Sequence, residues 1–211
     1  VGIDTKQYLN DVNVRSEKRL ELSIPLDAFV IISVGELNEN KNNKVIISAL
    51  KKLNDKNIHY IICGVGDEID TLRAMAESFE LSENIHFLGY RTDVKDLYKT
   101  CDCFVMPSYR EGLSRSVMEA MASGLPCVAS GIRGNTDLVE NGKNGFLCSP
   151  CDSKQFADAI SKLSENRELR EKMSKENLIK IKEYDISVVE KDIENIYSEV
   201  LNIKQKSHAS V

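Results

Sequence analysis

Short apolar runs alternate with helical periodicity along most of the chain. Six runs rich in β-branched and other apolar residues have the length of buried strands: 29–34, 57–63, 85–88, 101–106, 126–129 and 145–148. Segments with apolar residues on one helical face lie between and after them: 44–53, 67–79, 94–98, 117–122, 136–140, 152–163, 168–182 and 188–203. This alternation predicts an α/β fold with a doubly wound, parallel six-stranded sheet.

The chain carries no linker rich in Gly, Ser or Pro and no internal repeat. Residues 1–203 are therefore expected to form a single domain that ends in the helices of 168–203, and the polar segment 204–211 is predicted to be a disordered tail. Ligands of such sheets bind outside the carboxyl ends of the strands. The loops at that edge are predicted at 35–41, 64–67, 89–93, 107–116, 130–135 and 148–152.

Composition excludes several classes of function. The net charge is −5, so no nucleic acid is expected as a partner, because phosphate neutralisation needs a surplus of cations. No apolar run approaches the roughly 20 residues that span a bilayer. Several of the six cysteines lie in apolar runs, where a free thiol acts as a small hydrophobe. Cys148 and Cys151 form a C-x-x-C without a second pair, so neither a disulfide framework nor a metal site is expected.

Gly64-Val65-Gly66 follows a predicted strand and opens a helix, as in dinucleotide-binding proteins. The third glycine of that motif is replaced by Ile69, and the next strand ends at Gly89 without an acidic residue for a ribose. A tight strand-to-helix turn is the favoured interpretation, and an NAD-dependent oxidoreductase is a remote one.

The loop and helix of residues 107–126 carry two carboxylates at a predicted helix N-terminus. Glu111 precedes the helix and Glu119 lies within it, at most about 12 Å away at the helical rise. A helix start attracts anions, so a diphosphate there would lie between carboxylates that could each accept hydroxyl groups. The local alternative is a capping box formed by Ser116 and Glu119, with Glu111 as a solvated loop acid.

The spacing of Glu111 and Glu119 resembles the E-x7-E signature of retaining glycosyltransferases of the GT-B fold. The resemblance is to glycosyltransferase family 4, the "glycosyl transferases group 1", and within it to bacterial enzymes of capsular or exopolysaccharide synthesis. It implies one Rossmann-like half of a GT-B enzyme, the C-terminal, donor-binding domain. Further matching motifs follow in order along nearly the whole chain: 1–4, 33–41, 63–66, 87–89, 102–108, 120–126 and 145–152.

The resemblance also implies roles for single residues. Glu119 would hold the ribose hydroxyls of a nucleotide-sugar, and Glu111 would contact the donor sugar at the catalytic centre. Lys41 would bind the diphosphate and offset charge on the departing nucleotide. The other implied donor-binding residues are Gly112, Leu113, Ser114, Arg115 and Ser116 for sugar and diphosphate, Gly89, Tyr90 and Arg91 for the base, and Gly35.

One position departs from the family pattern. Glu36 stands where many members carry an Arg or Lys beside the diphosphate, so its carboxylate is expected to point away, with Arg115 or Arg133 supplying the missing charge. No D-x-D motif ends a strand, and donor binding is expected to need no metal or other cofactor.

The implied reaction is retaining transfer of a hexosyl group from a UDP-sugar to a lipid-linked glycan acceptor in surface polysaccharide synthesis. The chain would act in the cytoplasm, at the inner face of the membrane, with an N-terminal GT-B domain as its partner. Without that domain it is expected to bind nucleotide but to transfer no sugar, and to expose an apolar patch where the domain docks. Two alternatives stay open: a nucleotide-sugar 2-epimerase, and a non-catalytic nucleotide-binding module, which Glu36 favours.

Overall fold

The computed structural model describes the backbone of residues 2–8 and 12–208, and the side chains of residues 2–8 and 14–198. The strands are β1 Phe29–Val34, β2 Ile58–Cys63, β3 Ile85–Gly89, β4 Cys103–Met106, β5 Cys127–Ser130 and β6 Gly145–Cys148. The α-helices are α1 Val12–Glu21, α2 Asn43–Leu53, α3 Ile69–Ser78, α4 Val94–Thr100, α5 Arg115–Ala122, α6 Asn135–Leu138, α7 Ser153–Glu165, α8 Arg167–Lys180 and α9 Ile186–His208. Short 3-10 helices cover Thr5–Tyr8, Glu39–Lys41 and Ile181–Tyr184.

The six strands form one sheet in the order β3-β2-β1-β4-β5-β6, and every pairing is parallel. This confirms the predicted doubly wound α/β fold. After β3 the chain crosses back to place β4 beside β1, so the winding direction reverses between these two strands. Loops on the two sides of such a switch point diverge and leave a crevice at the carboxyl edge of the sheet.

Both faces of the sheet are covered by helices, as expected for parallel strands. Side chains of β1 alternate between the two cores: Ile31 packs with α2, α3 and α7, and Val30 and Ile32 pack with α4 and α5. All three are fully buried. The apolar runs of the sequence are therefore strands buried on both faces. Polar side chains that could bind a ligand lie in the loops at the strand ends.

Helix α1 was not predicted, because its sequence has few apolar residues and no apolar stripe. It packs on α4 and is anchored by Arg19, whose side chain is 1% exposed. The guanidinium donates to the carbonyls of Thr100 and Ala28, at 3.1 and 2.7 Å, and pairs with Asp102 at 2.8 Å. A second arginine, Arg15, pairs with the same carboxylate at 2.7 Å. Ion pairing, which leaves no periodic signal in a sequence, holds this helix to the amino edge of the sheet.

Some element boundaries differ from the predicted ones. Strand β4 begins at Cys103 rather than at residue 101, since Cys101 is the C-cap of α4 and donates its amide to the Tyr98 carbonyl. Helix α9 continues to His208, past the predicted end at residue 203, and residues 209–211 lie outside the described residues. Asp152 caps α7, and its side chain accepts from the amides of Lys154 and Gln155.

The two glycines of Gly64-Val65-Gly66 allow two loops to touch through their backbones. The Gly35 amide donates to the Cys63 carbonyl at 3.0 Å, and the Leu37 amide donates to the Val65 carbonyl at 2.9 Å. A Cβ atom at Gly64 would lie 1.8 Å from the Gly35 oxygen, and one at Gly66 would lie 2.3 Å from the Leu37 oxygen. The motif is thus the tight turn that the sequence favoured, and it supports the loop that follows β1.

We expect the substitution Gly64→Ala to destabilise the fold by at least about 2 kcal/mol, because the backbone at φ 148° is strained for alanine and the new Cβ displaces the Gly35 carbonyl. Denaturant unfolding of the purified chain measures this. Gly112→Ala is the matched control, since no atom lies within 4 Å of its added Cβ. Equal stability of the two variants would show that the loops separate freely.

Candidate functional site

An ion pair spans the crevice between β1 and β4. Lys41 ends the 3-10 helix after β1, and Glu111 lies in the loop after β4. The Lys41 Nζ atom is 2.7 Å from Oε1 of Glu111, and the two side chains are 22% and 12% exposed. The residues predicted as catalytic, seventy positions apart in sequence, are therefore brought together by the strand order.

Gly35 provides the surface over which the lysine side chain lies. A Cβ atom at Gly35 would be 3.3 Å from Cε and 3.6 Å from Nζ of Lys41. The absence of a side chain at the end of β1 thus leaves space for the lysine to reach Glu111. This places Gly35 within the site.

Glu119 projects from α5 and is held by two donors. Its carboxylate accepts from the Tyr98 hydroxyl at 3.2 Å and from Nε of Arg115 at 3.0 Å, and its side chain is 16% exposed. A second hydroxyl near Glu119 is that of Tyr8. Burial and the Glu119 carboxylate raise the pKa of Tyr8 to about 12, so this hydroxyl stays protonated. Glu119 thus faces a group of neutral and cationic donors.

The capping box considered from the sequence is absent from α5. The N-cap residue is Ser114, whose side chain makes no capping hydrogen bond, and Ser116 is already within the helix. The hydroxyls of Ser114 and Ser116 lie 3.2 Å apart. The amides of the first turn have no acceptor within the helix, and the helix dipole makes this end attractive to anions.

The loop before α5 is pressed against the loop after β5. A Cβ atom at Gly134, where φ is 88°, would lie 1.9 Å from the Gly112 carbonyl oxygen. Gly112 itself is exposed, and Leu113 packs against the core that contains α5. The backbone at Gly112 is therefore held close to the loop after β5.

The predicted base-contacting residues lie at the end of β3. Tyr90 is 79% exposed, so its ring is accessible. Arg91 is held by Asp93 through two hydrogen bonds, of 2.7 and 2.6 Å, and by Glu21 at 3.3 Å. Arg91 keeps the pKa of Asp93 well below its ordinary value. Tyr90 is thus the more exposed of the two side chains, and Arg91 is held in ion pairs.

Glu36 replaces the Arg or Lys of the family, and the two arginines that could compensate for it also lie near the surface. Glu36 is exposed, and its carboxylate accepts from the side-chain nitrogen of Asn38 at 2.9 Å, without bonding to Lys41. Arg115 is 70% exposed and is already paired with Glu119, and Arg133 is exposed. Glu36 therefore does not occupy the lysine, which bonds to Glu111 instead.

The six cysteines are free thiols, five of them buried, and Cys151 is exposed. Burial raises the pKa of Cys63 and Cys148 to about 12, as expected for packed thiols. Among the described residues, no three His, Cys, Asp or Glu side chains are grouped as metal ligands would be. None of the described helices is both long and apolar enough for a transmembrane span.

Comparisons with known proteins show which family and fold this chain resembles. The sequence profile of the family "Glycosyl transferases group 1" matches residues 14–178. A protein named as a glycosyltransferase, EpsD of Bacillus subtilis (strain 168), is 30% identical over 98% of this chain and 55% of its own length. A galactosyltransferase of Escherichia coli, named for a GlcNAc-diphosphoundecaprenol acceptor, is 30% identical over 80% of this chain and 45% of its own length.

Solved structures show the same fold. HepE of Anabaena, determined in complex with UDP, superposes with a TM-score of 0.90 at 26% identity, over 94% of this chain and 56% of its own. A C-terminal domain of a glycosyl transferase group 1 protein from Francisella tularensis is covered completely, with a TM-score of 0.78 at 23% identity, over 88% of this chain. This chain spans about half the length of the curated relatives it matches, which fits the predicted C-terminal half of a GT-B fold.

We expect Lys41 and Glu111 to be coupled by about 1 kcal/mol in a double-mutant cycle with Lys41→Ala and Glu111→Ala, since both side chains are mostly buried. Unfolding free energies of the wild type, the two single variants and the double variant give this value. The exposed pair Lys154–Asp158 on α7 is the matched control and should show no measurable coupling. Additive effects at Lys41 and Glu111 would mean that the two side chains do not form a stable pair in solution.

Proposed function

The chain belongs to the glycosyl transferases group 1 family, and we propose that it is the donor-binding half of a retaining hexosyltransferase that uses a UDP-sugar. The observation that carries the proposal is the Lys41–Glu111 pair in the switch-point crevice, beside the open N-terminus of α5. One cation, several free amides and two carboxylates match the charges and hydroxyls of a nucleoside diphosphate sugar.

In this proposal the diphosphate binds between Lys41 and the first turn of α5. The lysine and the helix dipole offset the charge that grows on the nucleotide as the glycosidic bond breaks. The amides of Arg115 and Ser116 supply further donors at this end of the helix. These protein groups would do the work that a divalent cation does in other transferases, so donor binding would be metal-independent.

Glu119 would bind the ribose. A carboxylate accepts two hydroxyl hydrogen bonds from a cis-diol, and here the Tyr98 hydroxyl and Arg115 hold it in position from the protein side. Arg115 would also bring positive charge towards the diphosphate and so offset the acidic Glu36. The exposed ring of Tyr90 would stack on the base.

Glu111 would bind hydroxyls of the donor sugar. When the diphosphate engages Lys41, the Glu111 carboxylate loses part of its ion pair and becomes available to the sugar, whose ring gains positive charge in an oxocarbenium-like transition state. A carboxylate at this place stabilises that charge. Retention of the anomeric configuration is part of the proposal.

The acceptor and the partner domain are inferred from relatives and from α9. The Escherichia coli relative is named for a diphosphoundecaprenol acceptor, which supports a lipid-linked glycan and a place at the inner face of the membrane. Helix α9 carries exposed apolar side chains that an N-terminal GT-B domain would cover: Ile186, Val188, Ile193, Ile196 and Tyr197.

The chain should bind UDP in calorimetric titration, and Glu119→Ala should weaken binding at least about tenfold, because two hydrogen bonds to a charged group are lost. Glu190→Ala, at an exposed position on α9, is the control and should leave the affinity unchanged. Arg115→Ala should weaken UDP binding as well, and unchanged affinity would rule out its compensating role.

Two further arms make the titration decisive. EDTA should not alter the affinity for UDP if binding is metal-independent. Binding of NAD without UDP would overturn the proposal, as would equal affinities of the wild type and Glu119→Ala.

In the full-length protein, Glu111→Gln should lower sugar transfer about 100-fold or more, since the carboxylate that faces the developing charge is lost. The affinity for UDP should not fall, because Lys41 loses its competing carboxylate. Product analysis by NMR measures both the rate and the anomeric configuration. An epimerised nucleotide-sugar as product would favour the epimerase, and a wild-type protein without turnover would favour a binding module.

A further inference from the structure

Asn42, next to the lysine of the site, joins three loops at the carboxyl edge of the sheet. It is 8% exposed, and its backbone is left-handed, with φ 51°. Its side-chain nitrogen donates to the Pro107 carbonyl at 3.2 Å and to the Pro150 carbonyl at 2.7 Å. The loop after β1 is thereby tied to the loop after β4, which carries Glu111, and to the loop after β6.

The residue on the other side of Lys41 makes a second connection. The Asn40 side chain donates to the Arg110 carbonyl at 3.0 Å, and the Asn40 carbonyl accepts from the Tyr109 amide at 2.9 Å. Lys41 is therefore flanked by two residues that are both bonded to the Glu111 loop. These bonds fix the origin of the lysine side chain relative to the carboxylate that it meets.

The chemistry of the position favours asparagine. Two carbonyl oxygens face one side chain, and a primary amide supplies two donors on a single nitrogen. An aspartate would place a carboxylate against the same two oxygens. A glycine would keep the left-handed backbone without strain but would supply no donor. Both donors of the Asn42 side-chain nitrogen are used in the bonds to the Pro107 and Pro150 carbonyls, and its oxygen makes no capping bond to α2.

We propose that Asn42 is a positioning residue for the diphosphate, acting through Lys41. It holds the loops of Lys41 and Glu111 at the separation in which the ammonium group faces the anion. The inference rests on the proposed function, since it assumes that a nucleoside diphosphate is bound here. Loss of Asn42 should therefore weaken recognition of the diphosphate and spare recognition of the nucleoside.

The test compares UDP with uridine on the same variants, with titrations followed by NMR chemical shifts. Asn42→Gly should bind UDP roughly tenfold more weakly, because Lys41 is no longer held in the position that faces the diphosphate, and uridine with little change. Asn54→Gly is the matched control: Asn54 is also left-handed, with φ 49°, but lies at the far end of α2. It should leave both affinities unchanged.

Further variants separate positioning from stability. Asn42→Asp should weaken UDP binding at least as much as Asn42→Gly, because its carboxylate repels the two carbonyl oxygens. Asn40→Ala, which removes one bond at a half-buried position, should give a smaller loss in the same direction. Thermal unfolding of each variant verifies that it is folded at the titration temperature.

The outcomes are distinct. Equal weakening of UDP and uridine by Asn42→Gly would indicate a general structural role and overturn the inference, as would unchanged UDP affinity. If Asn42→Gly does not fold, a selective loss of UDP binding in Asn40→Ala would support the positioning by these loops and an unchanged affinity would refute it. A wild-type chain that binds neither ligand would contradict the proposed function itself.

Discussion

Hydrogen bonds between the loops after β1 and β4 are the constraint on which the site depends. The strand order opens a crevice between these loops, and a crevice alone would leave their side chains free to separate. Asn40 and Asn42 close the backbone distance, and the glycines at 64 and 66 support the same loop from the other side. Lys41 and Glu111 meet because bonds other than their own ion pair hold the two loops together.

Charge is distributed unevenly between the two edges of the sheet. At the amino edge, Arg15 and Arg19 share Asp102 and hold α1 in a closed network of ion pairs and carbonyl bonds. At the carboxyl edge, Lys41 and Glu111 pair while partly open to solvent, near the first turn of α5, whose amides have no acceptor within the helix. The first arrangement stabilises the fold, and the second leaves groups that a ligand can engage.

The sequence predicted the sheet because its strands leave a local pattern, whereas the roles of the site residues came from the family resemblance and stay predictions. Buried strands appear as apolar runs, and the spacing of Glu111 and Glu119 belongs to one loop and one helix. Helix α1 was missed since a buried arginine replaces an apolar stripe. Asn42 was missed because four asparagines lie at positions 38–43, and only the folded loops distinguish the one that bonds to two carbonyls.

The burial of the cysteine thiols makes the chain suitable for site-specific labelling. Five are buried within the fold, and the exposed one, Cys151, follows Pro150, whose carbonyl bonds to Asn42. A thiol-directed reagent therefore meets one accessible sulfur in the native chain. A fluorophore attached there would stand at the rim of the crevice and report on its loops without an engineered cysteine.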